Sequence, residues 1–193
     1  MIIRRIIGKI VRWSLELPPV EYGSIGEKSI VYTPKISDKN SKSVFIGNNV
    51  EILPNSRIQL YPEKSGKNPK ITIGDCCYIG YNFSMLAGDD ITIKNNVLIA
   101  SNVLISSENH GTDPESDIPY SGQPLLSAPV FIGEGCWIGE RVMILPGVTI
   151  GKKCIIGAAS VVTKDVPDYC IALGSPAKVV KKYNFETHEW ERV

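Results

Sequence analysis

The chain has 193 residues, of which 43% are hydrophobic, so it is long enough to fill the core of one folded domain. Its 21 Lys and Arg residues balance 20 Asp and Glu residues. Because neither sign of charge dominates, an overall attraction to nucleic acid is not expected, and any basic site must be local.

The chain begins with an apolar segment that basic residues interrupt, MIIRRIIGKIVRW. On a helical wheel of about 100° per residue, the basic residues share one arc, and the isoleucines and Trp13 lie opposite. Residues 1–17 are therefore predicted to form a short amphipathic helix, too interrupted by charge for a secretory signal or a membrane span. We expect it to cover the open end of the fold, the favoured interpretation, or to lie in a membrane interface.

An aliphatic residue recurs every six positions through most of the remaining sequence. The repeats are Ile46, Ile52, Ile58; Ile73, Ile79, Met85, Ile91; Ile93, Ile99, Ile105; and Ile132, Ile138, Ile144, Ile150, Ile156, Val162. A six-residue side forms a short strand and a turn, and three sides close a triangular coil with the aliphatic side chains inside. The pattern predicts an all-β fold, a left-handed parallel β-helix, over residues 18–182.

Small residues often follow the repeated aliphatic residue, as in Gly133 and Gly139. We expect them at the corners of the coil, where a positive φ or a close backbone approach excludes a bulky side chain. The five cysteines are Cys76, Cys77, Cys136, Cys154 and Cys170. They lie in apolar runs without CxxC spacing, which predicts reduced core residues in a cytoplasmic protein.

Two segments break the repeat, residues 59–70 and residues 106–128. The first is polar and contains Pro and Gly, which predicts an expanded turn rather than a site. The second is long for a loop in a compact domain, which indicates a functional role.

The sequence contains two histidines. His188 lies in the tail, residues 183–193, which is predicted to fold back along the coil as a strand or short helix with His188 at the surface. His110 lies in the second loop and is the candidate catalytic base, since imidazole changes protonation near neutral pH and can take the proton of an attacking hydroxyl. Two histidines cannot form the three-histidine zinc site of β-helical carbonic anhydrases, so no metal is expected.

Lysines gather in the last coils of the predicted fold. As point charges they are candidates for contact with the phosphates of a CoA donor, although each one alone is more often a solvated surface residue. They are Lys152, Lys153, Lys164, Lys178, Lys181 and Lys182.

With the repeats, the loop and the segment IGAASVVTKDVPDYCIALGSPAKVV together, the chain resembles the hexapeptide acyltransferase superfamily from about residue 44 to 182. Within it, the segment YNFSMLAGDDITIKNNVLIASNVLISSENH is similar to the galactoside and maltose acetyltransferase branch, with 28 residues from Asn82 to His110. The resemblance implies acetyl-CoA as the acyl donor, His110 as the catalytic base, and Asn82 as a ligand of the sugar near its accepting hydroxyl.

The same resemblance implies roles for further residues. Trp137 would lie beside the thioester channel, and the backbone N–H of Glu140 would face the thioester carbonyl. The pantetheine and adenine would run in a groove between subunits of a homotrimer. Beside them would lie Gly157, Ala158, Thr163 and Lys164.

A closer likeness is to O-acetyltransferases of lipopolysaccharide O-antigen biosynthesis, through Asn109-His110-Gly111, PLLSAPVFIGEGCWIGERVMILPG and the C-terminal segment. It implies a surface-polysaccharide precursor as the acceptor and, because such precursors are often lipid-linked, a peripheral contact with the inner face of the membrane. The loop after His110 lacks the second histidine typical of the galactoside enzymes, so the acceptor stays open. N-acetylation of an amino sugar and a non-catalytic β-solenoid are the alternatives.

Overall fold

The computed structural model describes residues 21–32, 35–36 and 38–193; the predicted N-terminal helix, residues 1–17, lies outside them. The regular structure of the described chain is mainly short strands, numbered here along the sequence. All but two of the strands build three sheets, which are the three faces of one coil and are named A, B and C. No helix in the described part of the chain is long and apolar enough to cross a membrane.

Faces A and C contain six strands each, all parallel to their neighbours. Face A consists of β1 (Ser24–Ile25), β4 (Val44–Ile46), β7 (Ile71–Ile73), β10 (Ile91–Ile93), β15 (Val130–Ile132) and β18 (Thr149–Ile150). Face C consists of β3 (Lys35–Ile36), β6 (Arg57–Leu60), β9 (Ser84–Ala87), β12 (Leu104–Ser106), β17 (Met143–Ile144) and β20 (Val161–Val162).

Face B has nine strands, and each of its last two pairs antiparallel with the strand before it. They are β2 (Ile30–Val31), β5 (Glu51–Ile52), β8 (Tyr78–Ile79), β11 (Leu98–Ile99), β16 (Trp137–Ile138), β19 (Ile155–Ile156), β21 (Cys170–Gly174), β22 (Ala177–Asn184) and β23 (Glu189–Arg192). β22 crosses the predicted start of the tail at residue 183, so the tail continues the coil as an antiparallel hairpin. His188 lies exposed in the turn of this hairpin, with φ 56°.

The predicted aliphatic columns are the core of the coil. Every repeated position from Ile46 to Val162 is at most 2% exposed, and the registers place each aliphatic residue directly over its counterpart in the next coil, as in Ile79, Ile99 and Ile138. The two-residue shift at Ile91 and Ile93 has a simple cause. In β10 the side chains of both isoleucines point inward, and that of Thr92 between them points outward.

Two reasons for small residues at the corners were predicted, a positive φ and a close backbone approach. The structure shows that they apply at different positions. Gly133 follows an aliphatic repeat, and a Cβ there would lie 2.6 Å from the backbone of Gly151 in the next coil, so close approach explains the glycine. Positive φ falls two or three residues later, and five of the twelve non-glycine residues with positive φ are asparagines, among them Asn49 and Asn96. Asparagine tolerates this left-handed region better than most side chains do.

The prediction of five core cysteines is wrong for Cys76. Cys77, Cys136, Cys154 and Cys170 are buried, whereas Cys76 is exposed at a corner with φ 57°. Cys76 occupies the positive-φ position of the turn, directly before the inward-facing Cys77, and its side chain is left in solvent there. None of the five forms a disulfide.

Candidate active site at the two edges of face C

Face C has two edges, which are corners of the coil. At the B–C corner the chain passes from face B to face C, and at the C–A corner it passes from face C to face A. Both breaks in the repeat lie at the C–A corner. β6 extends to Leu60, so the first insertion comprises residues 61–70, and it contains the helix α1 (Pro62–Ser65). The second comprises residues 107–129 and is called the arm.

The root of the arm is a two-stranded antiparallel ladder, β13 (Glu108–Asn109) with β14 (Leu126–Ser127). A Cβ on Gly88 of the preceding coil would lie 2.7 Å from the Cβ of Glu108, so the root lies directly against that coil. His110 follows β13 immediately. The ladder therefore fixes the backbone on the N-terminal side of His110.

The side chain of His110 is exposed and makes no hydrogen bond or ion pair with any residue that the structure describes. Both ring nitrogens are therefore available to a ligand. Because no side chain of the described chain orients the ring, its direction depends on the backbone that carries it.

Gln123 holds the segment that follows His110. Its side chain is only 6% exposed, and its Nε2 donates to the backbone carbonyls of Asp113 and Ile118, each at 2.9 Å. Its Oε1 accepts from the backbone N–H of Asp113 at 3.0 Å. Gly111 is buried against the same side chain, where an added Cβ would lie 2.7 Å from the Cβ of Gln123.

The first insertion supports the arm from two coils away, across the corner that contains Asp89. Lys67 Nζ pairs with the carboxylate of Asp89 and donates to the backbone carbonyl of Ser127 at 3.0 Å. The backbone N–H of Leu125 donates to the carbonyl of Lys64 at 3.1 Å. The sequence predicted an expanded turn here, and the structure adds that this turn contacts the functional loop.

The pKa of Asp89 reflects this contact. Desolvation raises it, but hydrogen bonds from Lys67 and from the N–H of Asp90, together with the charge of Lys67, outweigh desolvation and hold the pKa below its ordinary value. The lowered pKa favours the carboxylate form of Asp89. Nearby, burial and the charge of Glu108 raise the pKa of Tyr61.

The B–C corner contains Asn82, one coil below Asn102. The Nδ2 of Asn82 donates to the Oδ1 of Asn102 at 3.1 Å, and the Nδ2 of Asn102 donates to the Oε1 of Glu140 at 2.7 Å. Asn82 and Asn102 both have positive φ, 55° and 61°. Corner geometry alone thus accounts for asparagine at these positions, and the predicted contact of Asn82 with a sugar stays a prediction.

The backbone N–H of Glu140 has no acceptor among the described residues. At the same corner two coils earlier, the N–H of Tyr81 donates to the Oγ of Ser101 in the next coil at 3.1 Å. Above Glu140 the corresponding residue is Ala158, which has no side-chain oxygen. Alanine at that position leaves a main-chain donor free at an exposed corner.

The remaining predicted residues lie on face B and at the two edges of face C. Trp137 points outward from face B, 50% exposed, between Leu98 and Ile155 of the adjacent strands. Gly157 and Ala158 are at the B–C corner, and two exposed residues follow β20 at the C–A corner, Thr163 and Lys164. Within one chain, no hydrogen bond or ion pair joins His110 to any of these residues among those described.

Sequence reasoning missed three contributors to the site. Asn102 occupies the same corner position as Asn82, 20 residues later, and that spacing was a usable signal. Gln123 and Gly111 act through backbone groups that only the folded arm brings together. No group of three or more His, Cys, Asp or Glu residues suited to a metal is found in the described ranges.

A three-faced coil with six-residue sides and a histidine-bearing arm defines a hexapeptide-repeat protein. The family model described as "Bacterial transferase hexapeptide (six repeats)" matches residues 129–164. Galactoside O-acetyltransferase of Lactococcus lactis subsp. lactis (strain IL1403) is 37% identical over 147 residues, which are 75% of this chain and 67% of that enzyme. The chain belongs to the hexapeptide-repeat acyltransferase superfamily, in the branch of the galactoside and maltose O-acetyltransferases.

The chain is also similar to one further relative and to one solved structure. WbbJ of Escherichia coli (strain K12), provisionally named a lipopolysaccharide biosynthesis O-acetyl transferase, is 43% identical over 110 residues, 54% of this chain and 56% of WbbJ. The alignment thus spans little more than half of that relative. AntD, an N-acyltransferase from Bacillus cereus crystallised with dTDP-4-amino-4,6-dideoxyglucose and coenzyme A, has a TM-score of 0.72 at 22% identity, covering 86% of each chain. This confirms the predicted left-handed parallel β-helix.

Proposed function

We propose that the chain transfers an acetyl group from acetyl-CoA to a hydroxyl of a sugar, with His110 as the general base. The observation that carries the proposal is the unengaged imidazole of His110 at the root of an arm whose backbone is fixed on both sides. The names of the galactoside O-acetyltransferase and of WbbJ support acetyl transfer to a sugar hydroxyl. The similarity to WbbJ, which is named for lipopolysaccharide biosynthesis, favours a surface-polysaccharide precursor as the acceptor.

The reaction is a direct transfer. A ring nitrogen of His110 takes the proton of the acceptor hydroxyl while its oxygen attacks the thioester carbonyl carbon. The carbonyl oxygen becomes an oxyanion, for which the free N–H of Glu140 is the proposed donor. The C–O bond forms, the C–S bond breaks, and the sulfur leaves with a proton as CoA.

His110 and the B–C corner lie on opposite edges of face C, so the proposal requires a second copy of the chain. We propose a homotrimer in which the arm of one subunit meets the B–C corner of the next. Asn82 and Trp137 would then contact the acceptor. The donor would lie along Gly157, Ala158, Thr163 and Lys164.

The test is CoA release with acetyl-CoA and a panel of acceptors: galactosides, nucleotide-linked and lipid-linked saccharides, and amino sugars. Products are identified by mass spectrometry, which distinguishes an ester from an amide. We expect ester products and a rate loss of about 10² to 10⁴ in His110→Asn, because positioned general bases contribute that much.

The chain supplies a matched control in its other histidine. His188→Asn makes the same change in an exposed turn whose positive φ asparagine tolerates, so turnover should stay at the wild-type level. Full turnover in His110→Asn would remove His110 from the mechanism. Amide products from amino sugars alone would favour N-acetylation instead.

A further inference from the structure

We propose that Gln123 is a positioning residue for His110, holding the arm in the shape that presents the imidazole to the substrates. This inference rests on the proposed function, since it assigns a role at the same site. The other buried polar side chains of the described residues are serines, whose side chains are short. Gln123 is the one long polar side chain among them.

The contacts of Gln123 all fall on the segment directly after His110. An amide side chain offers two donors and an acceptor oxygen, and Gln123 uses both donors and the oxygen on backbone groups of Asp113 and Ile118. These groups lie five and ten residues away in sequence, so the side chain links separate segments of the arm to each other. Removing it leaves three backbone groups without partners, which favours a wetter and looser arm.

Packing transmits this order to His110. Gly111 lies against the Cβ and Oε1 of Gln123 and against the carbonyl oxygen of Pro124. His110 is therefore confined between the β13–β14 ladder on one side and the Gly111–Gln123 contact on the other. Because its ring has no hydrogen bond of its own in the described chain, this backbone confinement is what sets its direction.

The test compares the wild type with Gln123→Met, which keeps the length of the side chain and removes its hydrogen bonds. We expect kcat to fall about 10- to 100-fold, the range for a small misplacement of a reacting group. KM for acetyl-CoA and the thermal midpoint of the coil should stay unchanged, since the arm lies outside the core columns. Gln59→Met is the matched control, because Gln59 is the only other glutamine and lies in β6.

The decisive measurement is a double-mutant cycle. If Gln123 acts through His110, the double variant Gln123→Met with His110→Asn should have the same residual rate as His110→Asn alone. Multiplicative losses, or an unchanged kcat in Gln123→Met, would overturn the positioning role while leaving His110 as the base. Absence of any effect of His110→Asn would instead overturn the proposed function.

A readout independent of activity tests the geometry itself. Hydrogen exchange of the free protein should be faster over residues 111–118 in Gln123→Met, because the amide of Asp113 loses its acceptor. Unchanged exchange in this segment would contradict the inference whatever the acceptor proves to be.

Discussion

Gly111 is the residue at which the smallest change should have the largest effect on the site. An alanine there would bring its Cβ to 2.7 Å from the Cβ of Gln123 and 2.8 Å from the carbonyl oxygen of Pro124. One of these neighbours is backbone, so the strain cannot be relieved by turning a flexible side chain. The arm must shift, and His110 shifts with it.

We therefore expect Gly111→Ala to lower kcat by about 10²-fold, the cost of a displacement of roughly 1 Å. The control is Gly122→Ala in the same arm, where the nearest atom is the Cγ2 of the exposed Ile118 at 3.0 Å, a side chain that can move aside. The measurement is the kcat of each variant from steady-state kinetics. Equal activity in both would mean that the arm tolerates the displacement.

At the residue scale, the sequence predicts those site residues that their own side-chain chemistry identifies. His110 could be identified because it is one of two histidines and lies in the long break of the repeat. Gln123 could not, because its partners are backbone groups that carry no sequence signal. Asn82 illustrates a third case, since positive φ at the corner favours asparagine whether or not a sugar binds there.

At the scale of elements, the first insertion and the arm behave as one unit. Two contacts join them, from the Lys67 Nζ to the Ser127 carbonyl and from the Leu125 N–H to the Lys64 carbonyl, and Lys67 also pairs with Asp89 at the corner between them. The sequence separated these segments because they lie in different coils. Only the stacking of coils brings the two breaks to the same corner.

Lys67→Met tests the insertion as a support. The side chains of Lys67 and Asp89 are 47% and 20% exposed, so the loss of global stability should be below about 1 kcal/mol, as for surface ion pairs. Hydrogen exchange over residues 124–128 should nevertheless increase. Lys70→Met, the same change in the same insertion, should leave the stability and the hydrogen exchange unchanged. An equal increase in exchange in Lys70→Met would contradict a specific role of Lys67 in supporting the arm.

The pH dependence of this contribution follows from the lowered pKa of Asp89. A carboxyl whose folded pKa is depressed contributes stability above its unfolded pKa and loses it as the pH falls through the folded value. The difference in free energy of unfolding between wild type and Lys67→Met should therefore be present at neutral pH. It should disappear in acid, at pH values below 3.8, the ordinary pKa of the Asp carboxyl. Urea unfolding across this pH range measures it.

At the scale of the whole molecule, the repeat made the fold predictable because each side needs only one inward aliphatic residue, and identical sides reinforce one signal. The outward positions follow no such rule. On face A the outward side chains of β7 and β10 are Thr72 and Thr92, whereas on face B an apolar column stays exposed. Tyr78, Leu98 and Trp137 in that column are 39%, 44% and 50% exposed.

An apolar column of this kind is the surface that a second subunit of the proposed homotrimer would cover. Leu98→Asp places a charge in its centre, which a single chain tolerates because the position faces solvent, but which a subunit interface would have to desolvate at a cost of several kcal/mol. Light scattering should therefore give the wild type three times the 21.2 kDa mass of one chain, and Leu98→Asp a lower assembly state. Thr92→Asp, an outward position of the same coil on face A, should remain a trimer. If Leu98→Asp assembles like the wild type, face B is not the subunit interface, and the arm must find the B–C corner of its neighbour by another packing.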